Sequence, residues 1–321
     1  MKRFSVIVPL YNKKRYIRRC LDAILSQSFR DFEVIVVNDG STDGSEQIVE
    51  QEYPSRVRLV TQPNAGPGSA RNHGCRLAQS ELYAFLDGDD AWEPNYLAES
   101  DAWFTAHPQA AMLTWCMRLF PSDKTLEESW RSLAIPKSEF QLQPDTPVRS
   151  VIGMLANMLP SSTVIRADAF TRCGGYYDKF RCLYSEDTHL WMKVLLNYPA
   201  GFDWRPLTLR FEDASELALN LKSVRPIEPF LLDPDDVRTA TPIAMRPLLD
   251  DILAWRALKT ASVYGYFGHP AKARELVHRF TRWSRDWRSP HFATALAGCT
   301  PAGGWIGTAV ENWRARKDLT A

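Results

Sequence analysis

Four short apolar runs in the first 90 residues, each parted from the next by a helix-length stretch, leave this chain few folds to choose from. Residues 4–9 form a β-branched run closed by Pro9, and residues 32–37, 57–61 and 82–86 repeat its length. Runs of this length bounded by turn residues read as buried strands. After the first, Ile17, Cys20, Leu21, Ile24 and Leu25 keep the i, i+3, i+4, i+7, i+8 spacing of one helix face. A short helix is predicted from near Asp43, with Glu46 three residues on as a capping box. Residues 64–68 read as a glycine- and proline-bearing loop, and residues 69–79 as a third helix. Such alternation specifies a parallel sheet with right-handed crossovers. Ligands of these sheets sit beyond the carboxyl ends of the strands. The chemically unusual residues fall there: Pro9, Tyr11 and Asn12 after the first strand, Asn38 and Asp39 after the second, Asn64 and Gly66 after the third, and Asp87 to Asp90 after the fourth.

Three carboxylates around Gly88 repel one another, so a compensating charge is expected. A divalent cation bridging to a phosphate would supply it, because Mg²⁺ or Mn²⁺ takes oxygen ligands from one or two carboxylates plus substrate phosphates. Alone, an Asp-x-Asp after a strand is a polar turn; the surrounding motifs decide otherwise. Beyond Trp92 a helix is predicted over residues 97–106, a strand over 111–120, a long loop or lid over 121–149 and a strand over 160–165. A helix opening at Ser185 would bury Leu190, Trp191, Val194 and Leu195. Residues 223–247, rich in Pro and Asp, read as a connection, and helices carrying Trp and Arg end the chain.

Of 321 residues, 39 are Lys or Arg and 38 Asp or Glu, a balance that offers no argument for nucleic acid. Six cysteines without metal-type spacing point to a reduced, cytoplasmic protein, with Cys20 and Cys75 as small buried hydrophobes. The N-terminus lacks the apolar core of a signal peptide. Residues 292–310 carry no formal charge but contain Pro301 and several glycines, and read as helix–turn–helix instead of a membrane span. The tail collects Trp255, Trp283, Trp287, Trp305 and Trp313 among Lys and Arg. Two readings stay open for it: peripheral contact with the inner face of the cell membrane, or packing on the catalytic domain.

Five groups occur together: Ser5 to Asn12 (SVIVPLYN), Val36 to Asp43 (VVNDGSTD), Asn64-x-Gly66-x-x-x-Ala70-Arg71-Asn72, Phe85 to Asp90 (FLDGDD) and Ser185-Glu186-Asp187. In this order and spacing the chain resembles the family 2 glycosyltransferases, inverting enzymes of the GT-A fold, over about residues 4–213. The resemblance implies an α/β fold with a mostly parallel, Rossmann-like central sheet flanked by helices, and a C-terminal helical extension. It places a catalytic domain over 1–222, with a nucleotide-binding half (1–92) and an acceptor half (93–222), followed by residues 223–321 as a linker and Trp/Arg-rich helical region. The implied reaction moves a sugar from a nucleotide-diphosphate donor, a UDP-sugar by preference, to a hydroxyl of a cell-surface polysaccharide or lipid-linked glycan.

By the same resemblance Asp39 contacts the base, Asp87 belongs to the ribose or metal shell and Asp89 ligates Mg²⁺ or Mn²⁺. Chemistry adds that Tyr11 can stack on the base and Pro9 shapes the strand end, with Asn12 and Asn64 beside them. Gly66 and Gly68 let backbone approach a ligand, and Arg71 suits a diphosphate. Arg71 also suits a salt bridge to the clustered aspartates, and both roles can alternate. Gly88 would allow a tight bend, and Asp90 would cap the next element with Trp92 packed behind. Asp187 is the expected general base, ionised at a helix start, with Glu186 as competitor, Trp191 as an acceptor or supporting contact and His189 on the helix surface or behind the site. The sequence departs from the family where many members carry an arginine followed closely by histidine. Here Leu209-Arg210-Phe211-Glu212-Asp213 stands instead, and no third metal ligand is assigned. The Q-x-x-R-W motif of processive synthases is absent, which favours single addition. A nucleotidyltransferase would need a glycine-rich, arginine-bearing loop after the first strand, where Pro9-Leu10-Tyr11-Asn12-Lys13-Lys14 stands. A non-catalytic module would tolerate neutral residues at 89 and 187.

Overall fold

The computed structural model describes residues 2–212, 224–280 and 291–300. The four apolar runs form β1 (Phe4–Leu10), β2 (Phe32–Asn38), β3 (Arg58–Thr61) and β4 (Leu82–Phe85), joined by α1 (Ile17–Leu25), α2 (Ser45–Glu52) and α3 (Pro67–Leu77). β1 pairs in parallel with β2 and β4, and β2 with β3. Strand alternation then fills both faces. Val6, Val8, Leu10, Val34 and Val36 share a cluster with Ile17, Cys20, Leu21 and Ile24 of α1, while Ile35 and Val37 pack with Ala70 of α3. Gly74 seats α3 against the sheet, since a Cβ there would lie 2.6 Å from Ile7 Cγ2. That close seat sets where the start of α3 meets the strand ends.

Two helix starts differ from the sequence expectation. The capping box does not form: the Asp43 carboxylate accepts the N–H of Ser45 at 2.9 Å and of Lys14 at 2.8 Å, and Glu46 accepts the Thr61 hydroxyl at 2.6 Å. α3 begins at Pro67, whose fixed φ suits a first helical position.

β5 (Ala91–Trp92), α4 (Tyr96–Ala106) and β6 (Met112–Phe120) follow. The stretch expected as a loop or lid is partly regular, with β7 (Lys124–Thr125), α5 (Glu127–Ser132) and β8 (Glu139–Phe140). Trp130 is fully buried and its Nε1 donates to Asn157 Oδ1 at 3.0 Å. Isolated apolar residues in polar sequence give no periodicity to read, yet each supplies a full side chain of buried surface. Next come α6 (Val148–Asn157), β9 (Thr163–Arg166), α7 (Ala167–Arg172), α8 (Glu186–Asn197) and β10 (Ala200–Phe211). The sheet order is β3-β2-β1-β4-β9-β6-β10-β5. β9 runs antiparallel to both β4 and β6, and β10 parallel to β6. The sheet is therefore parallel through β4 and mixed beyond it.

The chain divides into two compact units, residues 1–142 with 152–218, and 143–151 with 219–321. In the second, the expected connection is helical: α9 (Pro229–Leu232) and α10 (Pro234–Ala240) precede α11 (Arg246–Tyr266), α12 (Pro270–Phe280) and α13 (Phe292–Gly298). Prolines that suggested a linker open the first turns of α9 and α10. Glu228, 2% exposed, receives Arg256 at 3.2 Å and the Thr260 hydroxyl at 2.8 Å. Trp255 is buried in α11; Trp283, Trp287, Trp305 and Trp313 lie outside the described residues. Among the described residues no helix is long and apolar enough to cross a membrane. All six cysteines are free, Cys20 and Cys75 buried as expected.

Candidate active site

At the end of β4, Leu86 still donates to Ile7 O at 3.1 Å before the chain turns, and the turn closes with Asp90 N–H on Asp87 O at 2.9 Å. Gly88 is not among the residues with positive φ. Its missing side chain instead leaves room for Lys13, whose Cβ and Cγ would stand 3.4 Å from a Cβ there. The three carboxylates receive three environments. Asp87 Oδ1 accepts Arg71 Nη2 at 2.5 Å. Asp89 Oδ2 accepts Lys13 Nζ at 2.8 Å, and burial followed by the Asp87 charge pushes its carboxyl upward against the pull of Lys13. Asp90 is 7% exposed and, instead of capping the next element, hydrogen-bonds with Ser161; burial, then Asp87 and Asp89, push its carboxyl up to about 7. Ser161 holds the turn together, for its Oγ accepts Asp87 N–H at 3.1 Å and its carbonyl accepts Trp92 Nε1 at 2.6 Å. Trp92 does pack behind, stacked on Tyr96 at 4.1 Å.

Arg71 joins this turn to the helix that opens 115 residues later. Its Nη1 donates to Glu186 Oε1 at 3.1 Å, its side chain is 4% exposed, and its guanidinium lies 5.2 Å from the Tyr176 ring. Burial works against the Arg71 charge, but Asp87, Tyr176 and Glu186 outweigh it and the net shift is upward. Trp191, in the core, meets Tyr176 edge-on at 5.6 Å, and the Tyr176 ring in turn faces Arg71. His189 is buried beside Tyr177, not on the helix surface.

Ser185 stands at the N-cap of α8 with φ 58° and makes no side-chain cap bond. Asp187 Oδ1 takes that role for Thr188, accepting its N–H at 2.6 Å and its hydroxyl at 3.2 Å. Burial, with a smaller contribution from Asp87, raises the half-buried Asp187 carboxyl against those bonds and Arg71. For Glu186, burial and then the Asp187 charge push the carboxyl up to about 7. The native state therefore holds the Glu186 proton more tightly than the unfolded chain. Its contribution to stability is complete below the unfolded pKa and is lost as pH rises through about 7. Glu186→Gln removes this titration, so its melting temperature relative to wild type should rise between pH 4.5 and 8. Parallel melts across that range check it; a constant difference would contradict the assignment.

The glycines after β3 are approached by protein. At Gly66, with φ 94°, a Cβ would lie 3.0 Å from Cys182 O and 3.3 Å from Leu183 Cδ2; at Gly68 it would lie 3.0 Å from both Glu186 Cγ and Tyr177 O. The segment before α8 thus rests on the start of α3. Asp39, 3% exposed, ties down the same loop: Oδ1 accepts Gln62 Nε2 and Ala65 N–H, each at 2.8 Å, and Oδ2 accepts Gly66 N–H at 2.9 Å. Asn64 adjoins Gly40, where a Cβ would be 3.1 Å from its N. Asn12, at φ 52°, clasps the β2–α2 loop by accepting Thr42 N–H at 2.8 Å and donating its own N–H to Ser41 Oγ at 3.1 Å. Tyr11 is 44% exposed, and Pro9 pairs opposite Val37 in the sheet.

Sequence reasoning missed Lys13 and Ser161. Lys13 had a signal, a cation directly after Tyr11-Asn12; Ser161 had none, because its role depends on β9 entering beside β4. Just before the acids Glu212 and Asp213, which stand where the family's histidine is expected, the Phe211 ring lies 3.3 Å from the Arg19 guanidinium, and Arg19 also donates to Asp89 O at 2.5 Å. Among the described residues no group of three or more His, Cys, Asp or Glu side chains is placed to hold a metal. The donor set nevertheless fits Mg²⁺ or Mn²⁺, which take one or two carboxylates and complete their shell with phosphate and water.

A carboxylate-bearing strand end facing a glycine-rich helix start is the build of a nucleotide-binding α/β enzyme. Residues 5–159, just under half of the chain, match the family described as glycosyl transferase family 2. The chain is 33% identical over 130 residues to an uncharacterized glycosyltransferase of Nostoc sp., covering 40% of each chain. It is 41% identical over 97 residues to glycosyltransferase GlyA of Streptococcus pneumoniae, covering 30% of this chain and 14% of that one. These matches span less than half the length of either relative. The fold is GT-A: TarS residues 1–349 of S. aureus, solved with UDP-GlcNAc, superposes with a TM-score of 0.66 at 19% identity, covering 98% of this chain and 92% of that one. A mannosyltransferase of Pyrobaculum calidifontis, solved with GDP-Man and Mn²⁺, gives 0.54 at 21% identity, covering 99% and 81%.

Proposed function

We propose that this chain is an inverting glycosyltransferase that moves a sugar from a nucleotide-diphosphate donor, by preference a UDP-sugar, to one hydroxyl of a cell-surface polysaccharide or lipid-linked glycan. The observation that carries the reading is Arg71, which in one buried side chain bonds both Asp87 of the strand-end turn and Glu186 beside Asp187. It brings the donor-type residues and the helix-borne acids to one place. Asp87 and Asp89 would hold Mg²⁺ or Mn²⁺, which when bound neutralises charge developing on the departing diphosphate. Arg71 would add a guanidinium to the same oxygens. Asp39 fixes the loop that carries Gly66, and its carboxylate would accept the imide N–H of the base. Tyr11, Asn12 and Asn64 would contribute on the same side of the donor.

Asp187 would take the acceptor proton as the hydroxyl attacks the anomeric carbon from the face opposite the nucleotide. Glu186 is the weaker candidate because it is occupied by Arg71, whereas Asp187 is held by Thr188 alone among the bonds described here. A base works best with a pKa drawn toward the operating pH, and the upward direction at Asp187 suits that.

Thermal unfolding against UDP, dTDP, GDP, ADP and CMP, each with and without Mn²⁺, tests the donor. A ligand at a hundred times its dissociation constant should stabilise by about 2.7 kcal/mol. The expected result is a metal-dependent shift with one nucleotide, strongest for UDP, that disappears in Asp89→Ala. No shift with any of the five would leave the transferase reading resting on motif resemblance alone and move a non-catalytic module to the front.

A further inference from the structure

The β1–α1 loop carries a lysine that the donor-binding scheme does not use. Lys13 places its stem against Gly88 and its ammonium on Asp89 Oδ2 at 2.8 Å; the two side chains are only 18% and 13% exposed. The ammonium also lies 5.9 Å from the Tyr16 ring. Its neighbour in the turn, Asp87, has a separate cation in Arg71 at 2.5 Å. Each carboxylate flanking Gly88 therefore has its own protein cation.

A divalent ion reaching Asp89 meets that arrangement in one of two ways. It either takes Oδ2 and expels the ammonium, or it takes the other oxygen and stands beside a positive charge. Both lower its affinity, and the cost is larger here than at a water-covered pair because screening is weaker. We propose that Lys13 is a tethered counter-cation of Asp89 which a divalent ion must displace, so that this lysine sets the metal affinity of the site. The proposal rests on the metal role of Asp89 given above. It makes Lys13 a positioning residue: it keeps the strand-end turn ordered when no metal is bound, by answering the repulsion among Asp87, Asp89 and Asp90.

The test is a titration of the full chain with Mn²⁺ alone, free Mn²⁺ being read by electron paramagnetic resonance, with no sugar or turnover involved. Lys13→Met keeps the length of the stem without the charge, and Lys13→Gln is a second neutral variant with a polar end. Both should bind Mn²⁺ about fivefold more tightly than wild type, the size of a modest ion pair. Lys13→Arg should stay near wild type, and Asp89→Asn should abolish the gain when combined with Lys13→Met. Folding of each variant is read from the same melts. Mn²⁺ should also raise the melting temperature of Lys13→Met more than that of wild type.

Equal or weaker binding in both neutral variants, with Asp89→Asn still losing the metal, would overturn the role of Lys13 and leave Asp89 as a ligand. Binding that ignores Asp89→Asn, or no binding in any form, would overturn the metal role of Asp89 and this proposal with it.

Discussion

Arg71→Met should cost about 3–5 kcal/mol of stability, the usual penalty for removing one partner of a buried ion pair. Two carboxylates lose their cation at once, and one of them, Glu186, is 7% exposed. Urea denaturation measures the loss. Adding Glu186→Gln to Arg71→Met should return part of it, because the second change removes the charge the first leaves unpaired; a double-mutant cycle gives the coupling. Binding of UDP, read by thermal shift, should disappear in Arg71→Met and stay absent in the double variant, since the guanidinium is the group proposed to meet the diphosphate. Full stability in Arg71→Met would mean the bonds to Asp87 and Glu186 carry little net energy. Retained UDP binding in a folded double variant would separate Arg71 from the donor.

Asp187→Asn should lower turnover of the donor by a factor of about 10² to 10⁴, the range expected when a general base is removed. Its effect on UDP binding should be small. The asparagine oxygen can still accept Thr188 N–H, as Asp187 does at 2.6 Å, so the start of α8 keeps its local bonding. Release of UDP from the donor in the presence of acceptor measures the rate, and thermal shift with UDP measures binding. The assignment fails if the rate falls less than tenfold, or if UDP affinity falls by the same factor as the rate. Glu186→Gln serves as the comparison: its loss should appear mainly in binding and in the pH dependence of stability, through Arg71.

The N-terminal third was legible because its signals are local. The i, i+3, i+4 stripe of α1 and the β-branched runs of β1 and β2 do not depend on what lies far away in the chain, and their order decides a parallel sheet. Signals thinned out after β4. Trp130 has no flanking period, and the prolines that open α9 and α10 mean a linker or a helix start depending on what the helix packs against. Asp90 and Ser185 show the same limit at the level of single residues. Each is a good cap by composition, but Asp90 is buried against Ser161 and Ser185 leaves the capping bond to Asp187.

What the sequence determined by itself was therefore the α/β order, the likeness to the family 2 glycosyltransferases and the strand ends where unusual residues gather. These follow from periodicity and from the rule that crossovers leave one end of the sheet open to ligands. Which charges meet there was decided by tertiary structure alone. Arg71 reaches Glu186 across 115 residues, Lys13 reaches Asp89 across 76, and Ser161 reaches the Asp87 amide across 74. An ion pair of this kind depends on distances of about 3 Å between segments that no local pattern relates. In a crowded anionic turn, the cation that arrives is the one that the packing of α3, the β1–α1 loop and β9 brings within reach.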